Sequence, residues 1–387
     1  MSASICDARG RSYRRSVVGD DITLDDLTGD PHPHLARLRA AAPVAWVPAV
    51  GGWLVTGRDA AVEVLRDPET FTVDDPRFST ARVVGPSMLS TDGTEHVRHR
   101  DPYVPPFRKR AVTSRFGPFV ATMAARLVDE LEPGADLRTA LAAPLAGATV
   151  AETLGLDGHD RATVERLIGW YREIVASVSG IAAGDDPTAP GADAMAELGA
   201  AVRSAAPPPG GLSVQDAVSD AAVIMFGGIE TTEGMILNLL LHVLGDPGVR
   251  SAVAADPARA EAAVEESLRL EPAAAVVDRY ATADVAVAGA TVAAGDLVVV
   301  SIAGANRDPA EFPDPDRFDL DRPNARRHLA FAAGPHVCIG MDLARLEAIT
   351  ALTTLLARRP GIRLAPGAPP PVGLVFRKPV ALPVTLQ

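Results

Sequence analysis

The most apolar stretch of the chain, residues 221–244, is long enough to span a bilayer. It nevertheless contains Glu230, Glu233, Asn238 and His242. A carboxylate at the centre of a bilayer costs about 2.5–3.5 kcal/mol on insertion scales, so a membrane span is disfavoured. We therefore expect this stretch to form a long core helix of a soluble protein.

Helical signals dominate the rest of the chain. Apolar residues spaced three and four apart predict helices at residues 34–41, 60–66, 115–130, 161–177, 214–244, 258–270 and 342–358. Short β-strands are predicted at residues 45–47, 53–56, 296–302 and 380–386. Because these strand segments are far apart in the chain, we expect one small mixed sheet. The predicted fold class is mostly α with a minor β region.

Composition and charge limit the possible functions. Of 387 residues, 47% are hydrophobic, which is enough to bury a large core. The net charge of -12 argues against nucleic-acid binding, which needs a cationic surface. The two cysteines, Cys6 and Cys338, are too few for a disulfide framework or a CxxC zinc site, and residues 1–21 contain no secretory signal. We therefore expect a cytoplasmic protein with a disordered extension at residues 1–20 and a single domain at residues 21–387.

The sequence FAAGPHVCIG, residues 331–340, precedes a predicted helix. A cysteine just before a helix N-terminus lies where free backbone N–H groups and the helix dipole favour the thiolate, which is the metal-binding form. Cys338 is thus placed to be an anionic metal ligand. Gly334 permits a tight turn, Gly340 lets a flat group approach the backbone, and Phe331 is placed to shield the sulfur from water. The alternative is a buried, inert cysteine beside a glycine turn.

This segment, with DLARLE after it, resembles the haem-binding signature of the cytochromes P-450. The resemblance extends from about residue 53 to residue 379 and implies that family's fold, with a long central helix over the haem. It also implies that the Cys338 thiolate is the proximal ligand of the iron in heme b (iron protoporphyrin IX) and pushes electron density toward O–O cleavage. The implied activity is a monooxygenase that activates O2. One oxygen atom enters a small organic substrate, by hydroxylation or epoxidation, in bacterial specialised metabolism.

The sequence FGGIETTEG places polar residues in the middle of the apolar helix. Buried polar groups need a partner or a task, and the preceding Gly227 and Gly228 weaken the helix and leave room beside it. By resemblance, Glu230 is the acid of a proton relay and Thr231 is the hydroxyl that orients it. The alternative is an ordinary solvated helix face.

Glu266 and Arg269 form Glu-x-x-Arg on one helix face. Such pairs are common on surfaces, where they contribute only a few tenths of a kcal/mol. The resemblance implies instead a buried structural ion pair that locks the segment leading to the cysteine. We expect Arg322 to supply a third charged group, with Arg317 as the second choice.

Four cationic or donor residues match the positions at which the family contacts the two haem propionates. Each propionate needs a cation or hydrogen-bond donor, preferably a guanidinium. The candidates are His96 and Arg100, four residues apart, together with Arg279 and His336. For any one of them, an ordinary surface charge is the alternative.

The resemblance gives the substrate pocket by position only, and two regions depart from the family. The pocket candidates are a distal loop at residues 71–89 together with Met225, Phe226, Ile229, Ala274, Val276, Val277 and Val375. Ala332 stands where the family often has glycine. Residues 170–212, which usually carry two helices over the pocket, are rich in Ala, Gly and Pro, so we expect a short or mobile lid.

Electrons are expected to come from another protein, because no GxGxxG motif follows a strand and a built-in nicotinamide or flavin domain is not indicated. We expect a ferredoxin with its ferredoxin reductase, or a flavodoxin. The candidate docking patch comprises Arg98, Arg108, Lys109, Arg110 and Arg345. The expected protein is a monomer that takes a small-molecule or carrier-tethered substrate and binds neither nucleic acid nor membrane. The alternatives are a peroxygenase that uses hydrogen peroxide and a noncatalytic haem-binding recruitment module.

Overall fold

The computed structural model describes residues 2–6, 12–182 and 186–386. Helices dominate, as the sequence predicts. The α-helices are α1 (Leu24–Thr28), α2 (His32–Ala41), α3 (Arg58–Arg66), α4 (Ser79–Val84), α5 (Gly93–Arg100), α6 (Val104–Phe107), α7 (Lys109–Arg115), α8 (Gly117–Asp129), α9 (Ala143–Thr153), α10 (Arg161–Ala182), α11 (Ala189–Ala205), α12 (Val214–Gly245), α13 (Pro247–Ala255), α14 (Arg259–Leu270), α15 (Ile302–Ala305) and α16 (Met341–Arg358). A five-residue π-helix, Arg138–Ala142, precedes α9.

The strands are short and scattered along the chain. They are β1 (Ser2–Cys6), β2 (Ser12–Ser16), β3 (Val44–Val47), β4 (Gly52–Val55), β5 (Phe71–Thr72), β6 (Val276–Ala281), β7 (Val285–Val287), β8 (Ala290–Val292), β9 (Leu297–Ser301), β10 (Arg363–Leu364), β11 (Pro371–Val372), β12 (Lys378–Pro379) and β13 (Val384–Thr385). Each of the four predicted segments contains a strand. The sequence analysis missed β6, because its Asp278 and Arg279 interrupt the apolar pattern of a strand.

The described chain divides into two compact units. Unit 1 comprises Met1–Val73, Glu265–Cys338 and Pro370–Lys378, and unit 2 comprises Asp74–Val264, Ile339–Pro369 and Pro379–Gln387. The predicted single domain at residues 21–387 stays a prediction. The predicted disordered extension also stays a prediction: residues 1 and 7–11 lie outside the described residues, and β1 pairs with β2 in an antiparallel arrangement.

Unit 1 is built on a five-stranded sheet in the order β3-β4-β9-β6-β5. Only β4 and β9 pair in parallel. Alternate side chains of each strand point to opposite faces. One face packs its valines against α3, through residues that include Val64 and Leu65, and the other packs against Leu35 and Leu38 of α2. The expected small mixed sheet of distant segments is therefore present, with a core on both faces.

Unit 2 is organised around α12, which has 32 residues and is about 48 Å long at the usual rise per residue. Its N-cap is Ser213, whose side chain accepts a hydrogen bond from the N–H of Asp216. Helices α9, α10, α11 and α16 pack against it. By length and composition α12 is the one helix of the described chain that qualifies as a membrane span, but 78% of its apolar window is buried in the protein. It is the core helix that the sequence predicts.

The helix predicted at residues 115–130 is α8 to within two residues at each end, and Pro118 in its first turn favours the helix start. One prediction needs correction: the expected short lid is wrong, whereas its expected mobility stays a prediction. Residues 170–212 contain most of α10 and all of α11, and these two helices pack against each other. Their alanines are helix formers, and the Gly and Pro residues lie mainly in the connections.

Candidate functional site

The cysteine of the FAAGPHVCIG segment lies in unit 1 at the end of a tight loop. Gly334 has φ +74°, and a Cβ added there would lie 2.3 Å from the carbonyl oxygen of Leu65. Only glycine fits this turn. The N–H of Val337 donates to the Gly334 carbonyl at 3.1 Å, and the N–H of Cys338 donates to the Phe331 carbonyl at 2.9 Å. These bonds fix the backbone that presents the sulfur.

The chemistry of Cys338 fits a metal group that brings most of its own ligands. Its side chain is exposed, whereas Phe331 and His336 nearby in the chain are half-buried. The described residues contain no group of three or more His, Cys, Asp or Glu side chains able to hold a metal ion. A porphyrin supplies its own nitrogen ligands to iron, and Cys338 is the residue that would hold such a group through its thiolate. Gly340 lies two residues further on as the N-cap of α16.

A fully buried ion-pair network lies in the same unit. Arg269 donates to both oxygens of Glu266 at 2.8 Å, and neither side chain is exposed. Arg322 donates its Nε–H to Glu266 at 2.9 Å and is 5% exposed. Arg317 contributes only its carbonyl oxygen, which accepts from Arg269 at 3.0 Å. The third charged group of the network is therefore Arg322, as expected.

A second buried pair, which the sequence analysis missed, lies beside this network. His328 Nε2 is 3.1 Å from the carboxylate of Glu265, and both side chains are nearly fully buried. The N–H of Ala330 donates to His328 Nδ1 at 3.1 Å, so Nδ1 is the acceptor and Nε2–H is the donor to Glu265. The His328 ring also contacts the Phe331 ring, with centroids 5.8 Å apart. Glu265 and Glu266 adjoin in the sequence, but only the second belongs to the recognisable motif.

The preceding amide of the same loop, that of Leu329, is held from the side of the Glu266–Arg269 pair. Asn306 is fully buried, and its Oδ1 accepts the N–H of Leu329 at 2.6 Å. The carbonyl of Asn306 in turn accepts from Arg269 at 3.2 Å. The consecutive amides of Leu329 and Ala330 are thus bonded to two different side chains, Asn306 and His328.

Strand β6 carries three of the predicted residues. Arg279 is 5% exposed, and its guanidinium donates to the carbonyl of Asp278 at 2.7 Å. Burial raises the pKa of Asp278, and the charge of Arg279 opposes this. Val276 is buried and Val277 half-buried.

The predicted pocket residues of unit 1 are close together. The N–H of Ala275 donates to the carbonyl of Val375 at 2.8 Å, and Ala274 forms an isolated bridge with Phe376. Ala274 is half-buried, whereas the side chain of Val375 is 45% exposed.

The predicted catalytic residues lie on one face of α12. Successive helix residues rotate by about 100°, so Glu230 and Thr231 lie within about 60° of Gly227. Met225 and Ile229 lie about 160° away on the opposite side. Both have 0% exposure, whereas Gly227 and Thr231 are half-buried. This placement counts against Met225 and Ile229 as pocket residues.

The adjacent Gly227 and Gly228 of α12, both expected to leave room beside the helix, differ. A Cβ on Gly228 would lie 2.6 Å from Val150, so Gly228 permits the close approach of α9. A Cβ on Gly227 would meet nothing within 4 Å. The hydroxyl of Thr231 donates to the carbonyl of Gly227 at 2.5 Å. Phe226, about 100° from Gly227, is half-buried.

Helix α5 carries two of the expected propionate contacts. His96 is 4% exposed, Arg100 is half-buried, and they are one helical turn apart. Arg98, between them, donates to Glu95 at 3.0 Å and to Asp216 at 3.0 Å. These two carboxylates offset the charge of Arg98, and its part in the predicted docking patch stays a prediction.

The structure also reveals two ion pairs that short motifs did not indicate. In unit 2, Arg138 of the π-helix donates to Glu233 of α12 at 2.6 Å. In unit 1, Arg377 donates to Glu271 at 2.8 Å. Burial alone would raise the pKa of Glu271, but His32 and Arg377 outweigh it and lower that pKa to about 2.

Comparisons with known proteins identify the family. The model of the family described as Cytochrome P-450 matches residues 192–358. The chain is 34% identical over 361 residues to the cytochrome P-450 monooxygenase PikC of Streptomyces venezuelae, covering 88% of this chain and 86% of that protein. The chain belongs to the cytochrome P-450 family.

Further P-450 relatives agree. Nocardicin C N-oxygenase of Nocardia uniformis subsp. tsuyamanensis is 35% identical over 97% of this chain and 98% of its own length. The crystal structure of P450BioI in complex with an acyl carrier protein ligated to hexadec-9Z-enoic acid superposes with a TM-score of 0.83. It is 27% identical and covers 92% of this chain and 99% of that one. The predicted P-450 fold is therefore confirmed.

The reaction class is confirmed as well. The chain is a cytochrome P-450 monooxygenase of the bacterial type found in specialised metabolism, and its cofactor is haem. Bacterial P-450s of this kind use O2 and electrons from redox partners.

Proposed function

We propose that this P-450 holds heme b through the Cys338 thiolate and oxidises one small organic molecule, free or carrier-tethered, by C–H hydroxylation or epoxidation. The observation that carries the proposal is the loop ending at Cys338. Its turn admits only glycine at position 334, and its thiol is exposed while its amide is bonded to Phe331. When bound, the haem supplies the redox chemistry that activates O2.

The proton-handling residues are proposed to be Glu230 and Thr231. Thr231 donates its hydroxyl proton to the Gly227 carbonyl, so its oxygen offers acceptor lone pairs on the accessible face of α12. Glu230 is 8% exposed on the same face. The hydroxyl can orient water, and the carboxyl can accept and return a proton. Replacing Thr231 with Ala is expected to uncouple electron consumption from product formation.

The propionates are proposed to bind His96, Arg100, Arg279 and His336. Guanidinium groups suit carboxylates because they donate in a fork. Arg279 is held within β6, and His96 and Arg100 are held within α5, so each is carried by a regular element. Lysine in place of Arg279 keeps the charge but not the fork, and is expected to weaken haem retention.

Electron delivery is proposed to use the cationic cluster at the start of α7. Arg108, Lys109 and Arg110 are exposed, and Arg345 is half-buried on α16. The partner is proposed to be a ferredoxin with its reductase, or a flavodoxin, whose acidic surface the cluster would attract. Charge reversal at Arg108 and Arg110 is expected to slow electron transfer at low salt, and an unchanged rate would contradict this docking site. We further propose that the protein is a cytoplasmic monomer.

The names of the relatives define the range of substrates to be tested. One relative is a 20-oxo-5-O-mycaminosyltylactone 23-monooxygenase and another is an N-oxygenase of nocardicin C. One solved structure holds a fatty acid ligated to a carrier protein. We therefore propose screening macrolactones, peptide-like antibiotics and acyl carriers for a low-spin to high-spin shift of the haem spectrum.

The cofactor assignment has a direct test. Reduced, CO-treated wild type is expected to show the thiolate-type band, and Cys338→His the unshifted imidazole-type band. Gly227→Ala is expected to weaken imidazole binding at the iron by filling the open space, although alanine favours the helix by about 1 kcal/mol. Gly169→Ala is the matched control, because Gly169 is an exposed helix glycine with nothing within 4 Å of an added Cβ. Equal imidazole affinity in the two variants would contradict the placement of Gly227.

A further inference from the structure

A chain of ionisable side chains runs from the surface of unit 2 to the buried side of α12. Arg98 donates to His99 Nε2 at 3.1 Å, and His99 Nδ1 is 2.8 Å from Asp220 Oδ2. Arg98 is 43% exposed, whereas the side chains of His99 and Asp220 are both 0% exposed. An isolated carboxylate at such a site is costly, so this pair requires an explanation.

The hydrogen bonds define the state of the pair. The Arg98 guanidinium can only donate, so His99 Nε2 must accept, and the imidazole is neutral with its proton on Nδ1. His99 therefore donates to Asp220. Glu95, 3.5 Å from His99 Nε2, and Asp216, 4.0 Å away, balance the charge of Arg98.

Asp220 uses its second oxygen to hold a loop. The N–H of Met88 donates to Asp220 Oδ1 at 2.8 Å, in a bond that is completely buried. Burial raises the pKa of Asp220, and the hydrogen bonds from Met88 and His99 oppose this.

The loop is internally ordered around this anchor. The N–H of Ser87 donates to Ser90 Oγ at 3.1 Å, and the Thr91 hydroxyl donates to the Ser87 carbonyl at 2.8 Å. Gly85, at φ +86°, lies so close to α12 that an added Cβ would be 3.0 Å from Ser219 Oγ. Residues 85–91 form the Met88 loop.

Asp220 lies on the face of α12 that carries the predicted catalytic residues. Seven residues separate it from Gly227, which is about 20° of rotation and about 10 Å along the axis. The Met88 loop is therefore held over the same face, about two turns before Gly227 and Thr231. Nothing lies within 4 Å of a Cβ added at Gly227, so this face of α12 is open beyond the loop.

We propose that His99 and Asp220 are positioning residues that hold the Met88 loop as a wall of the substrate-binding space and thereby limit the size of the molecule accepted. This inference rests on the proposed function, which makes that face of α12 the oxidising side. Neither residue needs to touch the substrate. Asp220 fixes the loop backbone, and His99, oriented by Arg98, fixes Asp220.

The test compares haem-loaded Asp220→Ala with Asp216→Ala, a control one turn earlier on the same helix that removes a half-buried partner of Arg98 but no hydrogen bond to the Met88 loop. The first readout is hydrogen exchange of the Met88 amide. Loss of one buried hydrogen bond, worth about 1–1.5 kcal/mol, predicts exchange about tenfold faster in Asp220→Ala. The second readout is the ratio of dissociation constants for 4-phenylimidazole and imidazole, which we expect to change about fivefold as the wall loosens. Asp216→Ala is expected to leave both within about twofold.

Wild-type exchange and an unchanged ratio in Asp220→Ala would overturn the proposal. If Asp220→Ala does not yield haem-loaded protein, His99→Ala and His99→Asn provide the same test. The asparagine amide restores an N–H near the place of Nδ1, so only His99→Ala should accelerate Met88 exchange. Equal Met88 exchange in these two variants would also overturn the proposal. Failure of the proposed function is distinguishable, since wild type itself would then lack the thiolate-type CO band.

Discussion

Replacing Arg269 with lysine is expected to destabilise unit 1 strongly although the charge is conserved. Arg269 donates five hydrogen bonds, two to Glu266 and three to the carbonyls of Asn306, Pro315 and Arg317. A lysine ammonium has three N–H donors, so at least two of these bonds must be lost. Each lost bond costs about 0.5–1.5 kcal/mol where the acceptor keeps another donor, as Glu266 Oε1 and the Arg317 carbonyl do with Arg322, and about 1–3 kcal/mol where it is left without one. The expected loss is therefore about 1–6 kcal/mol, against a usual total of about 5–15 kcal/mol.

The measurement is urea unfolding of the haem-loaded protein, with haem release followed in parallel. Arg317→Lys is the matched control, because the side chain of Arg317 is exposed and only its carbonyl serves the network. The control is expected to change the free energy of unfolding by less than about 0.5 kcal/mol. If the free energy of unfolding of Arg269→Lys lay within 1 kcal/mol of the wild-type value, the hydrogen bonds of Arg269 would not be what stabilises this segment.

Further outcomes are expected at single positions. Ala332 has φ +58°, a conformation that is costly for any residue with a Cβ. Ala332→Gly is therefore expected to raise the free energy of unfolding by about 0.5–1 kcal/mol, whereas the control Ala333→Gly should lower it. Equal effects of the two substitutions in urea unfolding would show that Ala332 is not strained. Gly334→Ala should prevent stable haem incorporation because of the 2.3 Å approach to Leu65, and a normal haem content would be inconsistent with the loop geometry. Burial raises the pKa of Glu347 well above 4.5, while Thr149 opposes this, so the folded state holds a proton that the unfolded state releases. The stability that this protonated group provides is fully present below pH 4.5 and is lost as pH rises toward the raised pKa. The free energy of unfolding of Glu347→Gln should therefore gain on that of wild type between pH 5 and 7, by up to about 1.4 kcal/mol per pH unit. A constant difference over this range would show that Glu347 is ionised in the folded protein.

The parts of the site that could be predicted from the sequence are those whose chemistry is local. The turn at Gly334, the cysteine before α16 and the paired Glu266 and Arg269 all lie within a few residues of their partners. α12 was predictable too, because a long apolar run with internal carboxylates has few other solutions. The position of Met225 was predictable as well. Once Gly227 defines the functional face, a rotation of about 100° per residue places Met225 on the opposite side of the helix.

The missed residues are those whose partners are distant in the chain. His99 and Asp220 are 121 residues apart, and Glu265 and His328 are 63 apart. Each is an ordinary polar residue of a helix or loop when considered alone, and only tertiary packing decides whether it is solvated or buried with a partner. Arg98 is the converse case. It lies in a basic segment of the sequence, but Asp216 of another helix offsets its charge.

The adjoining carboxylates at the C-terminal half of α14 explain how a strained loop is kept in one conformation. Arg269, which is bonded to Glu266, donates to the carbonyl of Asn306, and the side chain of Asn306 accepts the amide N–H of Leu329. His328, which is bonded to Glu265, accepts the amide N–H of Ala330. Two neighbouring helix residues with different partners therefore fix two consecutive peptide groups. The left-handed Ala332 follows two residues later, where strain persists only if the surrounding backbone is over-determined. The polar core of unit 1 thus holds, from two sides, the backbone that leads to the sulfur of Cys338.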